Sequence, residues 1–262
     1  MDWLQIIVLA LLQGITEFLP VSSSAHLILP AQLTSWPDQG LAFDVAVHAG
    51  TLVAILAYFR AEVTGLFASA GTLIAERRID STLDLWMKVA VATLPVIIAG
   101  FIAKDFVESE LRTVKVMAIT TIVFGILLGL ADRRLGTADS ISWPVALVIG
   151  FSQVIALIPG TSRSGITMTA ALFLGLSRTS GARFSMLLSI PTILGAALLI
   201  TLDVLEQGLD IGLAHMAGGF LLSAISAFVA IRYFMLLVER TGMMPYVIYR
   251  LLLGTVLLLF FV

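Results

Sequence analysis

The 262 residues contain no cysteine, so disulfides and thiolate-bound metals are excluded. Charge is scarce too: 12% of residues are Asp, Glu, Lys or Arg, against roughly a quarter in soluble domains. No basic run occurs and the net charge is -2, which excludes the positive surface that a nucleic-acid partner requires. The opening "MDWLQIIVLALLQG" lacks a basic region and a small-residue cleavage site, and is expected to remain in the mature protein. What the chain does have is apolar side chains, at 59% of residues. The bilayer is its expected solvent.

Six stretches approach the about 20 apolar residues a spanning helix needs: 41–60, 85–103, 114–131, 184–202, 214–237 and 246–262. Two more apolar regions, 1–35 and 143–176, are interrupted by "LPVSSSAH" and "IPGTSRSG". Irregular backbone at membrane depth persists only where protein or a watery cavity satisfies its polar groups. Both regions are therefore expected to be re-entrant hairpins with polar tips.

The two interrupted regions match each other. Gln13 and Gln153 lead, Pro20 and Pro159 follow, and serines come next; "FDVAVHAGTLVAIL" and "FSMLLSIPTILGA" continue the match at an offset of about 140 positions. Two repeats, 1–135 and 136–262, are expected, each a hairpin followed by three spans. Three is odd, so the second repeat must be inverted. Arg60, Arg77, Arg78 and Lys88 flank or occupy loop 61–84, Arg133 and Arg134 lie in loop 132–142, and Arg240 in loop 238–245, whereas loop 203–213 has no Lys or Arg. The positive-inside rule puts the first three on the cytoplasmic side and the last outside. Loop 104–113, with Lys104 and Arg112 against Asp105, Glu108 and Glu110, then falls outside. The fold expected is an all-α, polytopic, inverted-topology membrane protein whose two tips meet near the midplane.

Ionisable groups inside a membrane point to function. The first tip offers Gln13, Glu17, Ser22, Ser23, Ser24 and His26; the second offers Gly160, Ser162, Arg163, Ser164 and Thr167. A guanidinium fork with hydroxyls and glycine-freed N–H groups at a helix start suits phosphate. Glu17 repels phosphate, so a divalent cation, Mg or Ca, is expected between them with Glu17 as its ligand. Arg163 is expected to clamp phosphate, and His26, with Ser22 and Ser23, to supply acid/base or nucleophilic chemistry. His48 and His215 rank lower, as an interhelical donor or site residue and as an interfacial group.

At these residues the sequence resembles the bacterial undecaprenyl-diphosphatases, or bacitracin-resistance proteins, over its full length. "QGITEFLPVSSSAH" resembles the family's [EQ]-x-x-x-E motif with its serine turn and histidine, and "PGTSRSGIT" its P-G-x-S-R-S-x-x-T motif. Gln13 stands where some members have Glu, leaving Glu17 as the main ligand candidate, and Ala25 where Gly is common. The resemblance implies hydrolysis of undecaprenyl diphosphate to the monophosphate in the bacterial inner membrane. It further implies carrier-lipid recycling for the cell wall, bacitracin resistance and a site open to the outer face. A homodimer is the candidate assembly. The competing reading is a transporter or flippase of a prenyl-phosphate lipid, because inverted repeats are common to carriers.

Overall fold

The computed structural model describes residues 1–262 except 35, 38, 135 and 208–210, with backbone alone at 28, 32, 33, 108, 200 and 202–207. Eleven α-helices appear among the described residues: α1 (Trp3–Thr16), α2 (Ser23–Leu33), α3 (Leu41–Tyr58), α4 (Arg60–Glu76), α5 (Ser81–Phe106), α6 (Val114–Asp132), α7 (Trp143–Val154), α8 (Arg163–Phe173), α9 (Arg178–Gln207), α10 (Leu213–Thr241) and α11 (Met244–Phe261), with a π-helical turn at Val107–Leu111 and a 3-10 turn at Ile155–Leu157. The described residues form no strand, only an isolated bridge between Ala138 and Leu176.

Among the described residues, six helices are long and apolar enough to cross a bilayer: α3, α5, α6, α9 through Leu199, α10 and α11. They are the six stretches expected from hydropathy. Their outer faces leave Phe101, Ile102, Leu259 and Phe260 more than 70% exposed, a surface suited to lipid and not to water. The expected loop 61–84 is mostly a helix, α4, whose sequence carries no proline between Arg60 and Glu76 and tolerates Gly65 and Gly71 among good helix formers. The expected outer loop 203–213 falls largely on α9 as far as Gln207 and on residues 208–210, which lie outside the described residues.

Apolar burial between helices gives little net drive inside a bilayer, so close packing over small residues has to hold them. Accordingly α1 lies on α10 at Gly14, where an added Cβ would stand 2.6 Å from the Ser223 carbonyl. At Gly50 of α3 the corresponding distance to the Phe220 carbonyl of α10 is 2.3 Å, and at Gly150 of α7 it is 2.4 Å to Ala92 of α5. The short helices α1 and α7 are thus packed on α10 and α5, and each is followed by a turn and an 11-residue helix, α2 or α8. Those turns, 17–22 and 155–162, carry the site.

Candidate active site

Glu17 caps the C-terminal end of α1, where the helix dipole disfavours a carboxylate. Its neighbours compensate. Arg163 Nη2 donates to Oε1 at 3.0 Å, while Gln13 Nε2 and Ser23 Oγ each donate to Oε2 at 2.9 Å. The Glu17 and Arg163 side chains are 10% and 14% exposed, so this ion pair is largely desolvated. One member comes from each hairpin, and the two interrupted segments do meet. Arg163 stacks near Phe18 at 5.9 Å and its Nη1 donates to the Ser185 carbonyl at 3.4 Å.

The helices α2 and α8 both begin here. Ser22 and Ser162 precede them with φ of 74° and 69°, a region that L-residues seldom occupy and that costs on the order of 1–3 kcal/mol. In each turn the hydroxyls of serines two apart are paired, Ser22 with Ser24 at 3.1 Å and Ser162 with Ser164 at 3.2 Å. The Ser162 hydroxyl accepts from the Gly165 N–H, whereas Ser22 makes no side-chain cap on α2. Two positive helix ends and Arg163 are thus brought to the Glu17 carboxylate, and they supply N–H donors suited to phosphate oxygens.

A cavity of about 280 Å³ opens at this point, lined by Glu17, Ser22, Ser23, Ser24, Ser162 and Arg163, together with His48. It shares Val96, Leu157, Thr192 and Ala196 with an apolar groove of about 470 Å³ between α5 and α9, whose rim carries Lys104 and Arg112. His26 is not among the lining residues. Its Nδ1 lies 2.7 Å from the Ser22 carbonyl, which only accepts, so Nδ1 carries the proton and the neutral ring's Nε2 accepts from Tyr249 Oη at 2.5 Å. The Tyr249 ring is stacked on it at 5.5 Å. His48 makes the same local bond, Nδ1 to the Asp44 carbonyl at 2.7 Å, yet its Nε2 faces the cavity 3.9 Å from Glu17. His215 packs edge-on against Trp3 at 4.7 Å, outside the site.

The other second-tip residues hold the scaffold. Ser164 Oγ donates to the Leu19 carbonyl at 2.9 Å, tying one tip to the other, and Thr167 pairs with Ser185 at 2.7 Å. Gly160, at φ +87°, lets the turn approach α6, where an added Cβ would meet the Met117 carbonyl at 2.5 Å. Gln13 is fully buried; its NH₂ faces Glu17, and its Oε1 has no hydrogen-bond partner among the described residues. Among the described residues no three His, Asp or Glu side chains gather around a metal position. The Glu17 carboxylate, which lines the cavity, is a hard-oxygen ligand suited to Mg²⁺ or Ca²⁺, an ion that completes its shell with phosphate and water; the buried Gln13 is not among the lining residues.

The family model for bacitracin resistance protein BacA matches residues 6–256. The chain belongs to this family. It is also 53% identical to the undecaprenyl-diphosphatase of Alcanivorax borkumensis, over 98% of each chain. The matched span includes both of the turns described above.

Sequence reasoning missed Arg250. This side chain is fully buried and donates to carbonyls on three elements: Pro20 of the first tip at 3.4 Å, Gly160 and Thr161 of the second at 3.1 and 2.9 Å, and Thr121 of α6 at 3.1 Å. The orphan carbonyls of the broken backbone are satisfied by this one guanidinium, which fixes the spacing of the tips. Tyr249 and Ser185 were missed as well. A charged residue inside the apolar run 246–262 was the available signal for Arg250.

Proposed function

We propose that the chain is a membrane phosphatase that hydrolyses undecaprenyl diphosphate to undecaprenyl phosphate and inorganic phosphate, with the paired tips as its active site. The observation that carries this reading is Ser23. Its hydroxyl lines the cavity and donates to Glu17, whose other oxygen holds Arg163. Family membership and the printed name of the Alcanivorax relative support the substrate. A carrier needs only a binding site, and a serine aimed at a carboxylate goes beyond binding.

Arg163 and the N-termini of α2 and α8 bind and orient the diphosphate. Ser23 Oγ attacks the terminal phosphorus, Glu17 takes its proton, and the bond to the lipid phosphate oxygen breaks, the proton passing to that leaving group. Water then hydrolyses the phosphoserine, again with Glu17 as base, and the serine regains its proton. His26 acts from behind: it binds the Ser22 carbonyl to Tyr249 of α11 and so positions Ser23. A Mg²⁺ or Ca²⁺ ion held by Glu17 would neutralise charge between the carboxylate and the diphosphate. The prenyl chain leaves along the apolar groove between α5 and α9 into the bilayer, and the protein belongs in the bacterial inner membrane with its site open to the outer face, where it serves cell-wall carrier recycling. A homodimer is its proposed assembly. Turnover of a purified sample is expected with Mg²⁺ or Ca²⁺ and to vanish in excess chelator; full turnover in chelator would overturn the cation.

The two repeats, 1–135 and 136–262, are proposed to be inverted. Support comes from α2 and α8, equal in length and starting 140 positions apart, and from Ser22 and Ser162, which share backbone strain and hydroxyl pairing at that same offset. Single cysteines in this cysteine-free chain give the test. Labels in 61–84 and 132–142 are expected from the cytoplasmic side and labels in 203–213 from the other; 132–142 and 203–213 on one side would break the inversion.

A further inference from the structure

A second basic cavity lies away from the site. Arg60 and Arg232, with Tyr58, Phe228, Met235 and Leu236, line a space of about 750 Å³ where α3 ends, α4 begins and α10 passes. Neither arginine forms an ion pair among the described residues. The nearby carboxylate, Glu62, is engaged by Arg183 at 3.1 Å. Two exposed guanidinium forks thus stand beside an apolar wall in which the Tyr58 and Phe228 rings meet edge to face at 6.1 Å. Such forks suit phosphate oxygens.

The surroundings are those of a membrane interface. In α4 only Ser69 is buried, while Phe67 and Ile74 are 72% and 84% exposed, the pattern of a helix lying in the headgroup plane with apolar side chains dipping into the acyl region. Arg60 is the first residue of that helix, which sets it at headgroup level. From Arg232 the outer face of α10 runs along Val229, Ile225 and Leu221, all exposed, an apolar track for acyl chains.

We propose that the Arg60–Arg232 cavity is a binding site for the phosphate of an anionic glycerophospholipid, distinct from the phosphatase site, with the acyl chains lying along α10. The shared chemistry is a phosphate ester, and a lipid is the occupant because the cavity opens on an apolar helix face. Basic pockets between membrane helices bind such headgroups.

The test uses the purified full chain in detergent, titrated with phosphatidylglycerol, with phosphatidylcholine and with inorganic phosphate, binding being read by native mass spectrometry. One phosphatidylglycerol is expected to be retained about tenfold more tightly than phosphatidylcholine. The preference should be lost in R60Q/R232Q and fall several-fold in each single variant, which serve if the double variant does not fold. Turnover of a short prenyl diphosphate by the single variants should stay near wild type. Equal retention of the two lipids, or undiminished preference in the variants, would overturn the site. Displacement of phosphatidylglycerol by inorganic phosphate at matching concentration would make it a free-phosphate site and overturn the lipid. A tenfold fall in turnover would assign the arginines to the phosphatase and overturn the distinction.

Discussion

Arg163→Lys lowers kcat by about 10²–10³ while leaving lipid binding nearly intact, the loss typical of one misplaced donor to developing transition-state charge. Lysine keeps the positive charge but replaces a planar fork by a point charge. In the resting protein that fork already spans two acceptors, Glu17 Oε1 at 3.0 Å and the Ser185 carbonyl at 3.4 Å. A single ammonium cannot reproduce both directions. Arg163→Ala goes further, because it strands the buried Glu17 carboxylate; breaking such a pair costs about 3–5 kcal/mol of stability. Turnover, lipid binding and thermal unfolding measured on the same preparations separate the two variants. An Arg163→Lys protein with wild-type kcat would remove the guanidinium from the chemistry.

Ser23→Ala and Glu17→Gln should fall hardest. If Ser23 attacks and Glu17 takes its proton, the two act as a unit, and removing either costs nearly as much as removing both. The base alone is typically worth about 10²–10⁴ in rate. In excess chelator, where the cation takes no part, Glu17→Gln should bind the diphosphate at least as well as wild type, because a negative charge facing the anionic substrate is gone, and with the cation supplied it should turn the substrate over slowly. That pairing of retained affinity with lost kcat is the signature of a group that acts in the transition state. The double variant should be scarcely slower than Ser23→Ala. Additive losses, or a fully active Ser23→Ala, would return the attack to another group.

Much of this site was legible in the sequence because a bilayer leaves few places for charge. Glu17 and Arg163 are conspicuous against apolar neighbours, and the paired breaks "LPVSSSAH" and "IPGTSRSG" marked the turns that carry them. The six spans were legible for a related reason, since the hydrocarbon thickness fixes their length. The histidines were not. His26 and His48 each bond the carbonyl four residues back, at 2.7 Å in both cases, so local sequence makes them alike. Only the tertiary packing directs one Nε2 to Tyr249 and the other to Glu17. Arg250 was obscured because its partners are backbone carbonyls 89 to 230 positions away, which have no side-chain signature. The helix α4 was obscured by its own arginine-rich surroundings, read as a loop for topology.

The account rests most on hydrolysis at the paired tips, and the direct measurement is the product balance of the purified protein supplied with a prenyl diphosphate and Mg²⁺ or Ca²⁺. It predicts one inorganic phosphate and one prenyl monophosphate for each diphosphate consumed, with no further release from the monophosphate and release slowed by about 10²–10⁴ in Glu17→Gln. Prenyl diphosphate bound and recovered intact, with no phosphate released by the wild-type protein, would contradict it.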